Sequence, residues 1–167
     1  MRVPVTRHPS VVTRRHAAAF TLIELLIVIA IIAVLAGLGF GAVQGAMGSA
    51  KRAQARNDVN QVAAAVKAYT LEYGRLPEAG NEIAELTGDN PKKIVFLEPK
   101  MAGGKPPKNG LSGDELLDPW GNAYKIYLDD DYDNKVSYLG EDFFTTVVVE
   151  SQGDKKGTIS NVKDGAK

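Results

Sequence analysis

The sequence predicts an α+β protein: a long N-terminal helix, about residues 21–73, packed on a small antiparallel β-sheet head. Three observations predict it. From Leu25 to Ala50 no side chain is charged. Helical spacing of apolar residues then continues to Tyr73, where Gly74 and Pro77 stop it. Beyond Asp118 the chain changes to short alternating segments separated by turn residues.

The apolar run sets the first element. About 20 residues at 1.5 Å each cross a hydrocarbon core of roughly 30 Å. The run therefore predicts a membrane-spanning helix over residues 20–45. Arg2, Arg7, Arg14 and Arg15 precede it, and no further charge follows Glu24 until Lys51. This asymmetry places the N-terminus in the cytoplasm and the rest across the membrane. Glu24 stands just inside the start of the run. A lone carboxylate there costs about 2.5–3.5 kcal/mol on insertion scales, so it calls for a partner or for snorkelling to the interface. A secretory signal peptide and an uncleaved anchor are the ordinary readings of such a run. The first has a shorter core with its small residues after it, and the second gives no account of Glu24.

Gly37, Gly41 and Gly45 recur every fourth residue, on one helix face. Such small-residue spacing lets helix backbones approach closely. Ala50, Ala53, Val59, Val62, Val66, Tyr69 and Tyr73 form an apolar stripe over 46–74, with Lys51, Arg52, Arg56, Asp58, Lys67 and Glu72 on the wet side. One helix of this extent is roughly 80 Å long. A head over 75–167 completes the chain.

Within the head, Asn81–Leu86 predicts a short helix, and the apolar Lys93–Leu97 run suits strand or helix. Met101–Ser112, rich in Gly, Pro and Lys, reads as an exposed loop. Asp118-Pro119-Trp120-Gly121-Asn122 reads as a turn, with Asp118 bonding nearby amides, Gly121 taking special dihedrals and Trp120, the only tryptophan, anchoring the core. Tyr124–Leu128 predicts a strand with Val136–Leu139 as its hairpin partner, and Phe143–Ser151 a further strand. Asp129, Asp131 and Asp133 alternate as in calcium loops, but Gly140 stands where an EF-hand needs its Glu. The turn is either a calcium site or a solvated acidic hairpin.

Composition excludes several functions. The chain has 167 residues, 20 basic and 20 acidic, and no cysteine. Disulfides, thiol catalysis and Cys-metal sites are therefore absent. Both histidines, His8 and His16, precede Phe20, and no nucleophile motif follows, so no catalytic residue is nominated. Without residues 1–19 and their four arginines the chain keeps 16 basic and 20 acidic side chains, which argues against nucleic acid as a partner.

The segment AFTLIELLIVIAIIAVLAGL resembles the prepilin-type processing segment of type IV pilins and type II secretion pseudopilins. The resemblance implies a pilin-like fold, a cytoplasmic leader at 1–19 removed by prepilin peptidase between Ala19 and Phe20, and N-methylation of Phe20. It implies that Glu24, fifth in the mature chain, serves assembly. A freed Phe20 amine lies four residues from Glu24 in one helix, or meets the Glu24 of a neighbouring subunit. The family prefers Gly before the cut, and Ala19 departs from that. DPWGN and the strand after it resemble the major pseudopilin of type II secretion, whose relatives bind calcium in a loop after this strand. Ser151–Gly157 resembles the terminal loop of those proteins.

The function implied is a structural pseudopilus subunit at the bacterial inner membrane, single-pass, with a periplasmic head. Its implied partners are further copies of itself, prepilin peptidase, the inner-membrane assembly platform, minor pseudopilins and membrane lipid, with calcium the one cofactor in question. Alternatives are a type IV pilin for adhesion, motility or DNA uptake, and a membrane-tethered periplasmic binding protein.

Overall fold

The structure is a computed structural model that describes residues 20–165, with the side chains of 38–42 and 44 outside the description. It divides into two compact units, Met1–Val43 and Gln44–Lys167. Helix α1 runs Leu22–Tyr73, within a residue of the expected bounds.

In the first unit every described large apolar side chain of α1 is exposed, from Leu22 at 82% to Val28 at 46%. Among the described residues no helix is long and apolar enough to cross a membrane. The apolar run continues in sequence to Ala50, and within it the side chains of 38–42 and 44 lie outside the description.

In the second unit α1 buries Ala55, Val59, Val62, Ala63, Val66 and Tyr69. Ala55, Val59, Val62, Val66 and Tyr69 follow alternating four- and three-residue steps that hold them on one face, with Ala63 beside it. The stripe begins at Ala55; Ala50 and Ala53, expected within it, are exposed. Arg52 and Asp58, expected on the wet side, are half-buried because the head reaches over them. Gly74 closes the helix with φ +66° and donates to the Thr70 carbonyl at 2.8 Å, a left-handed cap that favours glycine.

Helix α2 is Glu82–Leu86, as the sequence predicts. Lys93–Leu97 forms neither strand nor helix. The Phe96 and Leu97 amides both donate to the Leu86 carbonyl, at 2.9 and 3.0 Å, and Leu97 enters the core. This segment turns on Asn90, only 3% exposed. Its Nδ2 donates to the carbonyls of Glu85 and Ile94 at 2.7 and 2.6 Å, and its Oδ1 accepts from Tyr73 Oη and the Ile94 amide at 2.7 and 3.0 Å.

Among the described residues seven short strands follow: β1 Gly110–Ser112, β2 Glu115–Leu117, β3 Lys125–Leu128, β4 Val136–Tyr138, β5 Glu141–Phe143, β6 Val147–Asp154 and β7 Gly157–Ser160. They form the antiparallel pairs β1–β2 and β4–β5 and one sheet in the order β3-β6-β7. The expected exposed loop over 101–112 thus includes β1. The expected hairpin of 124–128 with 136–139 does not form. Strand β3 pairs with β6, Lys125 opposite Glu150 and Leu128 opposite Val147, while β4 folds back on β5. Leu139 and Gly140, at φ +52° and +76°, both occupy the left-handed region that a tight two-residue hairpin turn uses. Leu139 hides that turn from a search for Asn-Gly.

The single strand expected over 143–151 is interrupted at Phe144–Thr146, and the loop expected over 151–157 is a bulged β6–β7 hairpin. Gly153 permits it: φ is +64°, and a Cβ there would lie 2.1 Å from the Gly157 carbonyl oxygen. Val147, Val149 and Ile159 face the α1 stripe in the main core. Val148 turns the other way, onto Val136 and Tyr138 of the β4–β5 hairpin.

Replacing Asn90 by alanine leaves the Tyr73 hydroxyl, two carbonyls and one amide to find new partners. The expected loss is about 2–3 kcal/mol of stability, read as a lowered denaturation midpoint of the full chain in detergent.

Candidate functional site: the helix start and the head turns

At the start of α1 the sequence Thr21-x-x-Glu24 folds as a capping box. The Thr21 amide and hydroxyl donate to Glu24 Oε2 at 2.8 and 2.7 Å, and the Glu24 amide donates to Thr21 Oγ1 at 3.3 Å. Each member satisfies an amide that a helix start leaves unpaired. The T-x-x-E spacing is itself the sequence signal of this cap, and Thr21 is not among the expected site residues. Both Thr21 bonds fall on Oε2, so Oε1 is not committed to the cap. Phe20 is 80% exposed, and Ala19 lies outside the described residues. A Cβ built on Gly37 or Gly45 meets nothing within 4 Å. Gly41 is helical, with its surroundings outside the description.

In the head, Asp118 is fully buried. Its Oδ1 accepts the amides of Trp120, Gly121 and Asn122 at 2.9, 2.8 and 2.9 Å. Its Oδ2 accepts the Ser151 hydroxyl at 2.7 Å and Asn122 Nδ2 at 3.2 Å. The expected turn-former is thus also a strap from the turn to β6, through a serine that sequence spacing did not nominate. Pro119 is buried, and Gly121 has φ +99°. Trp120 packs half-buried against the main core and does not occupy its centre.

Two polar ties fasten the sheet to α1, and neither was legible. Tyr124 Oη donates to Asp58 Oδ2 at 2.9 Å. Burial pushes both the Asp58 carboxyl and the Tyr124 phenol up, the Tyr124 bond partly offsetting this at Asp58 and the Asp58 charge adding to it at Tyr124. Arg52 Nη1 donates to Asp154 Oδ1 at 2.8 Å and to the Gly157 carbonyl at 3.2 Å. Asp164 pairs with Arg56 beside it.

The acidic turn brings Asp129, Asp131 and Asp133 together, each with a carboxylate oxygen within 4.8 Å of the others. Asp129 is 2% exposed. Its two oxygens accept the amides of Asp133 and Asn134 at 3.0 and 2.9 Å. Tyr132 and Asn134 take φ of +57° and +62° to close the turn. Lys135 pairs with Asp133 at 3.0 Å, and its bond holds the Asp133 carboxyl below the usual range. The three carboxylates offer hard oxygen donors of the kind calcium takes.

The described residues form a helix whose first unit exposes its apolar side chains and carries a capped carboxylate at its start, followed by a small α+β head. Residues 14–40 match the family described as the prokaryotic N-terminal methylation motif. Residues 42–144 match type II secretion system (T2SS), protein G. Two similar curated proteins are both named type II secretion system core protein G. That of Pseudomonas aeruginosa is 31% identical over 116 residues, 67% of this chain and 74% of the relative. That of Pectobacterium carotovorum subsp. carotovorum is 31% identical over 107 residues, 64% of each chain. No solved structure matches. The chain belongs to the type II secretion system protein G family.

Asp154 supplies a pH test. The Lys156 amide holds its carboxyl below the usual range; burial opposes this, and Arg52 reinforces it. A folded-state value below the unfolded one, near 3.9, gives stability that is present above that value and lost as pH falls through the folded one. Asp154→Asn is expected to lower the thermal midpoint at pH 7 and to narrow the gap between midpoints at pH 7 and pH 3.

Proposed function

We propose that this chain is a structural subunit of a type II secretion pseudopilus, processed by prepilin peptidase and polymerised from the inner membrane. The observation that carries the reading is the paired match: a methylation-type start over 14–40 followed directly by the protein G segment over 42–144. Family membership supports a secretion fibre over a surface pilus or a solitary tethered binding protein. The role is mechanical, and no residue is assigned to catalysis.

In this reading the peptidase cuts between Ala19 and Phe20, and Phe20 carries the methylated amine. The helix from Phe20 to about Gly45 crosses the inner membrane, with the leader cytoplasmic and the head periplasmic. The exposure of Leu22–Leu35 in an isolated chain supports this, because lipid or neighbouring helices then cover what water does not favour. Gly37, Gly41 and Gly45 give neighbouring helices room to approach. Further copies, the assembly platform and minor pseudopilins are the partners of the growing fibre.

Glu24 sets register. Its Oε2 caps the helix through Thr21, and Oε1 is left to accept the Phe20 amine of an adjoining copy. Opposite charges attract strongly where water is excluded, and each alone is costly there.

Asp129, Asp131 and Asp133 are the residues that would hold calcium. The turn is closed by its own amide bonds, so the ion's contribution is to neutralise three neighbouring negative charges.

Mass spectrometry of the membrane protein is expected to find N-methyl-Phe20 at its N-terminus, and Glu24→Ala is expected to be processed normally without forming fibres. A native product that keeps Arg14 and Arg15 overturns the processing, and fibres of parental length from Glu24→Ala overturn the register role. Calcium added to the full chain in detergent is expected to raise its thermal midpoint, an increase that Asp131→Asn removes. A midpoint unmoved by calcium leaves the turn a solvated one.

A further inference from the structure

Two large apolar side chains of the second unit stand almost wholly in water: Leu71, 88% exposed, and Phe144, 87%. Leu71 comes from the last turns of α1, and Phe144 from the connection between β5 and β6. They line one open groove together with Lys67, Thr70, Asn134 and Thr146. Single exposed hydrophobes are ordinary; two that share one groove with a polar rim offer a small apolar patch to a partner's side chain.

A third apolar side chain of the same unit, Met101, is 74% exposed. Its backbone is fixed on both sides, since the Leu111 amide donates to the Lys100 carbonyl and the Ala102 amide to the Leu111 carbonyl, both at 2.8 Å. The two segments lie this close because Gly110 has no side chain; a Cβ there would sit 2.3 Å from the Lys100 carbonyl oxygen. Met101 is thus presented outward on a pinned backbone. An unbranched thioether adapts well to an apolar groove.

The two features sit at different levels of α1. The Met101 segment lies beside the Gln54–Gln61 stretch, where Gln54 bonds Asn109. The groove lies at Lys67–Leu71. The 17 residues from Gln54 to Leu71 rise about 25 Å. Their charges also match. Lys100, Lys105 and Lys108 outnumber Glu98 around Met101, while the groove, with Lys67 on its rim, adjoins through Asn134 a turn in which Asp129, Asp130, Asp131 and Asp133 outnumber Lys135.

We propose that the Met101 segment of one copy seats in the Leu71–Phe144 groove of the next, with its lysines facing the Asp129–Asp133 turn. The inference rests on the fibre reading and names one contact within it. Each copy offers two different surfaces at two levels, a heterologous contact that does not close on itself and so propagates as an open filament. A stable free pair needs roughly 1,200 Å² of buried surface, more than one methionine side chain and its flanking lysines supply. The contact contributes where many copies are already aligned.

The chain has no cysteine, so disulfide mapping is unambiguous. The full chain is produced in cells that assemble it, carrying Met101→Cys, Phe144→Cys or both, and mildly oxidised. The double variant is expected to give a ladder of multimers, the two singles together only dimers, and each single alone only monomer. Phe144→Ser is expected to reduce fibre yield while leaving the N-terminal product unchanged. Fibres whose double variant stays monomeric overturn the contact, as do dimers from either single variant alone. A parent chain that is processed but never forms fibres overturns the fibre reading itself, and this contact with it.

Discussion

The α1 stripe from Ala55 to Tyr69 is the surface on which the head is built. Val59, Val62, Val66 and Tyr69 are each fully buried there, beside Ala55 and Ala63. Burying a valine-sized side chain contributes about 1.5–3 kcal/mol, and the small alanines between them let the sheet approach. Val147, Val149 and Ile159 from the sheet, Leu86 from α2 and Leu97 from the connecting segment all join the same cluster. Among the described residues no strand of the head is longer than eight residues, and such short strands need a hydrophobic face to pack against. The helix supplies it.

Polar groups then fix the direction from which each irregular segment arrives. Asn90 holds the chain after α2, Asp118 the turn before β3, and Asp129 the turn after it. At the helix exit, Arg75 lies over the Tyr69 ring at 5.3 Å and pairs with the buried Glu85 at 3.0 Å. Burial opposes ionisation of Glu85, yet hydrogen bonds, the Arg75 bond foremost, hold its carboxyl below the usual range. These are buried acceptors given several donors each, a different matter from exposed pairs such as Lys93–Asp89, which contribute about 0–1 kcal/mol.

The first unit reverses this logic. Its apolar side chains are numerous and exposed, and its one described carboxylate, Glu24, is tied into the helix start by Thr21. A helix so capped begins at a fixed residue. The head is stable through what it buries, whereas the first unit leaves its apolar side chains uncovered.

The sequence by itself determined the features that depend on near neighbours. The helix period, its Gly74 end, the five-residue α2, the Asp118 turn and the placement of Glu24 all follow from residues within about one turn of each other. Tertiary structure decided the pairings across long separations: β3 with β6 instead of the nearer β4, Ser151 on Asp118, Tyr124 on Asp58, and Arg52 on Asp154. A strand's own alternation is satisfied by any apolar partner, and a serine or an arginine carries no local mark of the carboxylate it will meet. Such choices are made only when the α1 stripe draws the whole head onto one surface.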